Sequence, residues 1–236
     1  PGPLLQLASP QTDPRRLEPR RAATAAEALP AWARIAVTAA AAAAIATPSH
    51  MDEEEAELPA AAPHAPGDPL GQRFRRGNLI HALLQSLPDL PEATRAAAGR
   101  DFLARPGHGL NAAQQAEILD EALTVMAHPA IAAAFGFGSL AEAPLAGRIG
   151  PRLILGQVDR LLITDSRITL LDFKTNRPPP NRVEAAPRAY LRQMAAYRAV
   201  LRLAFPGRPV DCALVWTYGA GVMPLPPDLL DAHAPA

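Results

Sequence analysis

Along the chain from residue 71 the spacing of apolar positions changes character twice. In GQRFRRGNLIHALLQSLPDLP, residues Ile80, Leu83, Leu84 and Leu87 follow the i, i+3, i+4, i+7 rule of one helix face, and Pro88 closes the run. Two more helical stretches are predicted at about 91 to 105 and 111 to 128, the second opened by Asn111 with Gln114 three residues on, the pattern of a capping box. From about residue 140 short β-type runs take over: AEAPLAG, RLILGQVDRLLI, the turn residues TDSR, then ITLLDFKT. After a proline-rich loop the spacing predicts a helix from about 187 to 205, stopped by Pro206 and Gly207, then a strand at VDCALVWTYG and a short one near 222 to 225. Strands interleaved with helices indicate an α/β fold in which helices flank a small mixed sheet.

The run ITLLDFK places two charges on one strand face, because side chains alternate with period two: Asp172 and Lys174 project one way, Leu171 and Phe173 the other. If the hairpin turns over residues 164 to 167, Asp159 lies directly opposite Asp172, and Gln157 opposite Lys174. Facing carboxylates repel unless a cation lies between them. Lys174 is one such cation, and converging oxygen ligands also suit a hard divalent ion such as Mg²⁺. Ile168 and Leu170 share this face and should keep part of it buried. His81 sits at the margin of the core-facing stripe of the first helix and is a candidate third ligand, with Gly77 one turn earlier permitting close approach of another backbone. Gln193 and Tyr197 are four apart on the later helix and face one way, Tyr197 being equally at home in the core.

Charge strengthens this picture. Twenty-three basic and 23 acidic residues cancel, yet 22 of the basic residues are arginine, and the one lysine is Lys174. A chain that uses arginine everywhere else has kept a compact ammonium at one position. Between 177 and 208 seven arginines, among them Arg182, Arg188 and Arg192, face a single acid, Glu184, a local excess that suits a phosphate backbone. One cysteine, Cys212, excludes a disulfide framework, a four-cysteine zinc site and a cysteine-ligated iron–sulfur cluster within this chain. No run approaches the ~20 apolar residues of a membrane span; the richest, residues 31 to 47, is mostly alanine and carries Arg34. Residues 1 to 71, rich in alanine, proline and arginine with a short acidic run, read as a linker.

Taken in order, GNLIHALLQ, AEAPL, GQVDRL, LLDFKTNRPPP and YLRQMAAYRAVL resemble the motifs of RecB-type nucleases in the PD-(D/E)XK superfamily, and within them the nuclease domains that end AddA-type helicase–nuclease subunits. The resemblance covers residues 72 to 236 and implies a restriction-endonuclease-like core. It further implies that His81, Asp159, Asp172 and the backbone carbonyl of Phe173 hold Mg²⁺, with Mn²⁺ able to substitute. On the same basis Lys174 orients or activates the attacking water and steadies negative charge, Gln193 and Tyr197 support DNA binding and the site, and Glu142 stands behind the ligands. Aspartate replaces the glutamate common before x-Lys, and Phe173 the commoner tyrosine, without disturbing that set. The activity implied is exonucleolytic hydrolysis of single-stranded DNA in the bacterial cytoplasm, at the nucleoid, during recombinational repair of double-strand breaks. The partners implied are an AddB-type subunit and a helicase portion preceding residue 1, with residues 1 to 71 as tether. A Walker A loop needs a Gly-Lys pair, and the only lysine here follows Phe173, so these residues carry no such ATP site. The competing readings are a catalytically silent DNA-binding or scaffolding module and a stand-alone nuclease of the same superfamily. Clustered carboxylates beside phosphates argue against the first.

Overall fold

The computed structural model describes residues 45–46 and 70–235, with side chains from Arg75 onward. The expected tether therefore lies outside the described residues, save for a two-residue strand, β1 (Ile45–Ala46), and the start of the first helix. Three helices follow: α1 (Leu70–Ser86), α2 (Glu92–Leu103) and α3 (Ala112–Ala127). The capping box at the start of α3 is present in both directions: Gln114 N–H donates to Asn111 Oδ1, and Asn111 N–H to Gln114 Oε1, each at 2.9 Å.

Next come β2 (Ser139–Ile149), β3 (Arg152–Ile163), β4 (Ile168–Lys174), helix α4 (Arg188–Ala204), β5 (Val210–Trp216), β6 (Gly221–Leu225) and a short α5 (Pro227–Asp231). The sheet is mixed: β3 pairs antiparallel with β2 and β4, β4 pairs parallel with β5, β5 antiparallel with β6, and β1 runs parallel to β3 at Leu153 and Ile154. Helix α5 left no mark in the apolar pattern, since it is a single proline-opened turn.

Helices cover both faces. Leu171, Phe173, Ala213 and Val215 point toward α1, α2 and α3, while Ile168, Leu170, Leu214 and Trp216 point toward α4 and α5. This is the period-two alternation of strands buried on both sides. Helix α4 lays Tyr190, Leu191, Met194, Tyr197, Val200 and Leu201 on the second face. Burying each large apolar side chain contributes roughly 1.5–3 kcal/mol. The hairpin register is the expected one, running from Ile163↔Ile168 to Arg160↔Leu171, with Thr164 N–H bonded to Arg167 O at 2.9 Å across the turn.

Beyond Arg160 the strands part, and β3 changes face. Ile154 and Val158 pack toward α4, and so does Leu161, three residues on; Arg160 packs against the other helix layer instead. Strict alternation would have put Val158 and Leu161 on opposite sides. The break falls at Asp159, opposite which Glu142 on β2 takes a left-handed backbone, φ 49°, a conformation non-glycine residues seldom adopt.

Below the break Gly156 is the floor for Tyr197: a Cβ there would stand 2.4 Å from the tyrosine ring and hydroxyl. Gly156→Ala should lower stability by about 1–3 kcal/mol, the usual cost of overpacking. Thermal denaturation should show that loss, and less than half of it in a Tyr197→Leu background, because the nearest atoms are all of that side chain.

Candidate active site

The parting of β3 from β4 is where the chemistry collects. Asp159 does not continue the ladder; its Oδ2 accepts the Phe173 N–H at 2.6 Å, filling the place of a strand partner with a carboxylate. Gln157 reaches the other neighbour, its Nε2 donating to Glu142 O at 3.2 Å. The other oxygen of Asp159 lies 3.6 Å from His81 Nδ1. His81 arrives on α1, which can come this close because Gly77 leaves room for Thr175: a Cβ at 77 would be 3.0 Å from Thr175 Oγ1. The imidazole also meets the Phe173 ring edge-on, with centroids 6.0 Å apart.

One ligand atom each from His81, Glu142 and Asp159 lies within 4.8 Å of the others. Glu142, expected behind the ligands, thus brings a carboxylate oxygen into the same cluster, from a residue with left-handed backbone. Asp172 is 3% exposed and sits on the neighbouring strand, its Oδ2 paired with Lys174 Nζ at 2.8 Å. Lys174 donates to Gln193 Oε1 at 3.1 Å, and its Nζ lies 4.0 Å from the centre of the Tyr190 ring. Tyr197 is fully buried, its hydroxyl 3.5 Å from Gln193 Nε2, so it acts from inside the fold by steadying Gln193.

Burial and neighbouring charge move the three carboxylates in this space from their ordinary titration. Burial pushes Glu142 up to about 7, with Asp159 adding to the rise. Burial likewise pushes Asp172 up to about 6, against the pull of Lys174. Burial also works against the charge on Asp159, yet the His81 imidazolium, Lys174 and the Phe173 N–H hold its carboxyl below the usual range. On His81 burial opposes the cation, but Asp159 and the acids behind it raise the imidazole to about 9. Lys174, for the same reason, stays charged: Asp172 outweighs its desolvation and raises it further. The donor set fits a divalent ion. An ion with ligands at ~2.0–2.3 Å needs donors roughly 3–4.5 Å apart, and a second charge relieves repulsion that keeps protons on acids near neutrality.

The arginine excess proves only partly available. Arg177 pairs with Glu117 at 2.6 Å and with Glu121, Arg198 and Arg202 share Asp231, and Arg208 donates to Thr164 O. Arg182, Arg188 and Arg192 are exposed and make no side-chain hydrogen bond or ion pair among the described residues. Sequence reasoning also passed over Glu121, 8% exposed in α3, which binds Arg76, Arg177 and Thr217 and so ties α1 and the loop after Lys174 to one helix. Tyr190 was missed as well, although its place three residues before Gln193 put it on the same helix face.

The imidazole must lose its proton before Nδ1 can hold a metal. In metal-free protein the His81 Hε1 resonance should therefore titrate near 9, and Mg²⁺ should move that midpoint down. Titration at the ordinary value of 6.5, unmoved by Mg²⁺, would separate His81 from the cluster.

A family model described as the PD-(D/E)XK nuclease superfamily matches residues 34–218, beginning inside the stretch read as a linker. Among solved structures, one titled "Crystal structure of SSO0001" aligns over 63% of this chain and 72% of its own, with 15% identity and a TM-score of 0.29. No curated protein matches the sequence.

Proposed function

The chain belongs to the PD-(D/E)XK nuclease superfamily, whose members typically use divalent metals, and from that premise we propose that it is a Mg²⁺-dependent DNA exonuclease module of RecB type. Its substrate is single-stranded DNA delivered by a helicase portion of the AddA kind, in company with an AddB-type subunit, during recombinational repair of double-strand breaks. The observation that carries this reading is the convergence of Lys174, held by Asp172, Gln193 and Tyr190, beside the cluster of His81, Glu142 and Asp159. A surface that only grips DNA gains nothing from carboxylates crowded among phosphates.

Glu142, Asp159, Asp172 and His81 are the side chains that would hold the metal, with the Phe173 carbonyl as a further ligand. A divalent ion there supplies positive charge that polarises a phosphodiester and lowers the pKa of water. Imidazole favours softer ions than Mg²⁺, so Mn²⁺ should bind at least as tightly. In the metal-free protein Asp172 holds Lys174 in its charged form. Its ammonium orients the water and faces the charge that builds on the phosphate oxygens, a contribution often worth ~10²-fold or more. Gln193 fixes the direction of that ammonium, and Tyr197 fixes Gln193. The unpaired Arg182, Arg188 and Arg192 give the strand its electrostatic hold next to the site.

End-labelled single-stranded DNA should be cut with Mg²⁺ or Mn²⁺ and left whole in EDTA, and Lys174→Ala should lose ~10²-fold or more of the rate while folding normally. Cutting by that variant within a factor of two of the unaltered chain would overturn the role of Lys174, and cutting of closed or blunt duplex as fast as single strands would overturn the helicase-coupled reading. Charge reversal at Arg182, Arg188 and Arg192 together should weaken single-strand binding and flatten its dependence on salt by roughly 0.7 in log–log slope per lost contact.

A further inference from the structure

A groove of about 380 Å³ opens on the far side of the catalytic lysine, between the loop Pro180–Val183 and the edge strand β6. Polar and apolar groups line it in about equal measure: Val183, Trp216, Val222 and Met223 together with the exposed Asn181 and Arg182 at its rim. The indole is 2% exposed, and its N–H finds no hydrogen-bond partner among the described residues. Buried donors are nearly always satisfied, so an unmet one in a groove-lining residue points to an acceptor that arrives with a ligand. The groove also adjoins the site. Trp216 pairs with Lys174 across the β4–β5 register, and its ring lies 6.2 Å from that of Tyr190, over which the Lys174 ammonium sits.

We propose that this groove seats one nucleobase of the DNA strand, next to the nucleotide whose phosphate lies at Lys174. The inference rests on the nuclease reading and adds where the strand runs. The exposed, unpaired guanidinium of Arg182 at the rim matches the phosphate such a base brings with it. A single N–H donor is met by any of the four bases, since each offers an acceptor on its edge. The seat therefore grips without reading sequence, as single-strand sites with apolar platforms do.

The chain has two tryptophans, Trp32 and Trp216, so Trp32→Phe leaves Trp216 as the only indole reporter. With Mg²⁺ and a phosphorothioate-linked oligothymidylate, which resists cutting, binding should quench Trp216 emission. An abasic oligomer of equal length should bind through its phosphates with little quenching. Asn181→Glu, on the exposed rim, and Met223→Glu, on the wall, should each weaken oligothymidylate binding about tenfold; the first alters no packing and so stays informative if the second misfolds. Oligothymidylate binding that leaves Trp216 emission unchanged, with the Asn181→Glu variant binding as the unaltered chain does, overturns the proposal and leaves the groove to a protein segment. Equal quenching by the abasic oligomer overturns it as well, since the groove would then take backbone alone. Either result leaves the nuclease reading standing, which fails separately if the unaltered chain cuts no DNA with Mg²⁺ or Mn²⁺.

Discussion

Glu142, Asp159 and Asp172 lie on three adjacent strands, largely shut off from water, and their mutual repulsion sets the terms for everything packed around them. Charges so placed are costly unless opposite charge and hydrogen bonds answer them. The fold answers from both sides of the sheet. Helix α1, on one face, supplies His81 to Asp159; β4 supplies Lys174 to Asp172; and α4, on the other face, supplies Gln193 to hold the lysine. Two cations against three acids leave a deficit, expressed in the retention of protons by Glu142 and Asp172 toward neutral pH. A divalent ion fits that deficit in sign and in donor spacing.

The same geometry explains why the break in β3 is worth its strain. An unbroken ladder would have spent the Phe173 N–H on a backbone carbonyl and turned Asp159 flat against Asp172. The face change at Asp159 and the left-handed backbone at Glu142 instead point three different strands' acids toward one opening, where α1 can reach them. Strained backbone of this kind persists only where neighbouring structure over-determines it, and here β2 and β3 pair on both sides of the break.

Much of this was legible in the chain, and the limits have physical causes. The hairpin register followed from one turn and a period of two, and it holds from Ile163 to Arg160. The caps of α3 and the burial of Ile168 and Leu170 followed from equally local rules. Local rules fail where a partner is distant. Nothing in the run GQVDRL announces that the strand changes face within it, so the clustering of Glu142 with His81 and Asp159 could not be read from the pattern. Likewise the arginines from 177 to 208 looked like one basic surface. The acids that neutralise Arg177, Arg198 and Arg202 lie elsewhere in sequence: Glu117 and Glu121 on α3, and Asp231 on α5. Composition counts charges without their partners.

The solitary lysine is the case in which composition and geometry meet. Lys174 Nζ occupies a slot bounded by the Asp172 carboxylate, the Gln193 amide oxygen and the face of Tyr190, with Tyr190 itself anchored by its hydroxyl to Asn176 Oδ1 at 3.0 Å. A compact ammonium can direct its three protons at two acceptors on the protein and one outside it, whereas a guanidinium carries its donors in a rigid plane wider than this slot. Elsewhere the chain needs positive charge that can fork onto carboxylates, as Arg177 does across Glu117 and Glu121, and there arginine serves. At position 174 the need is for a charge small enough to stand within a hydrogen bond of both a buried acid and an attacking water, and that need selects the one residue type the rest of the chain does without.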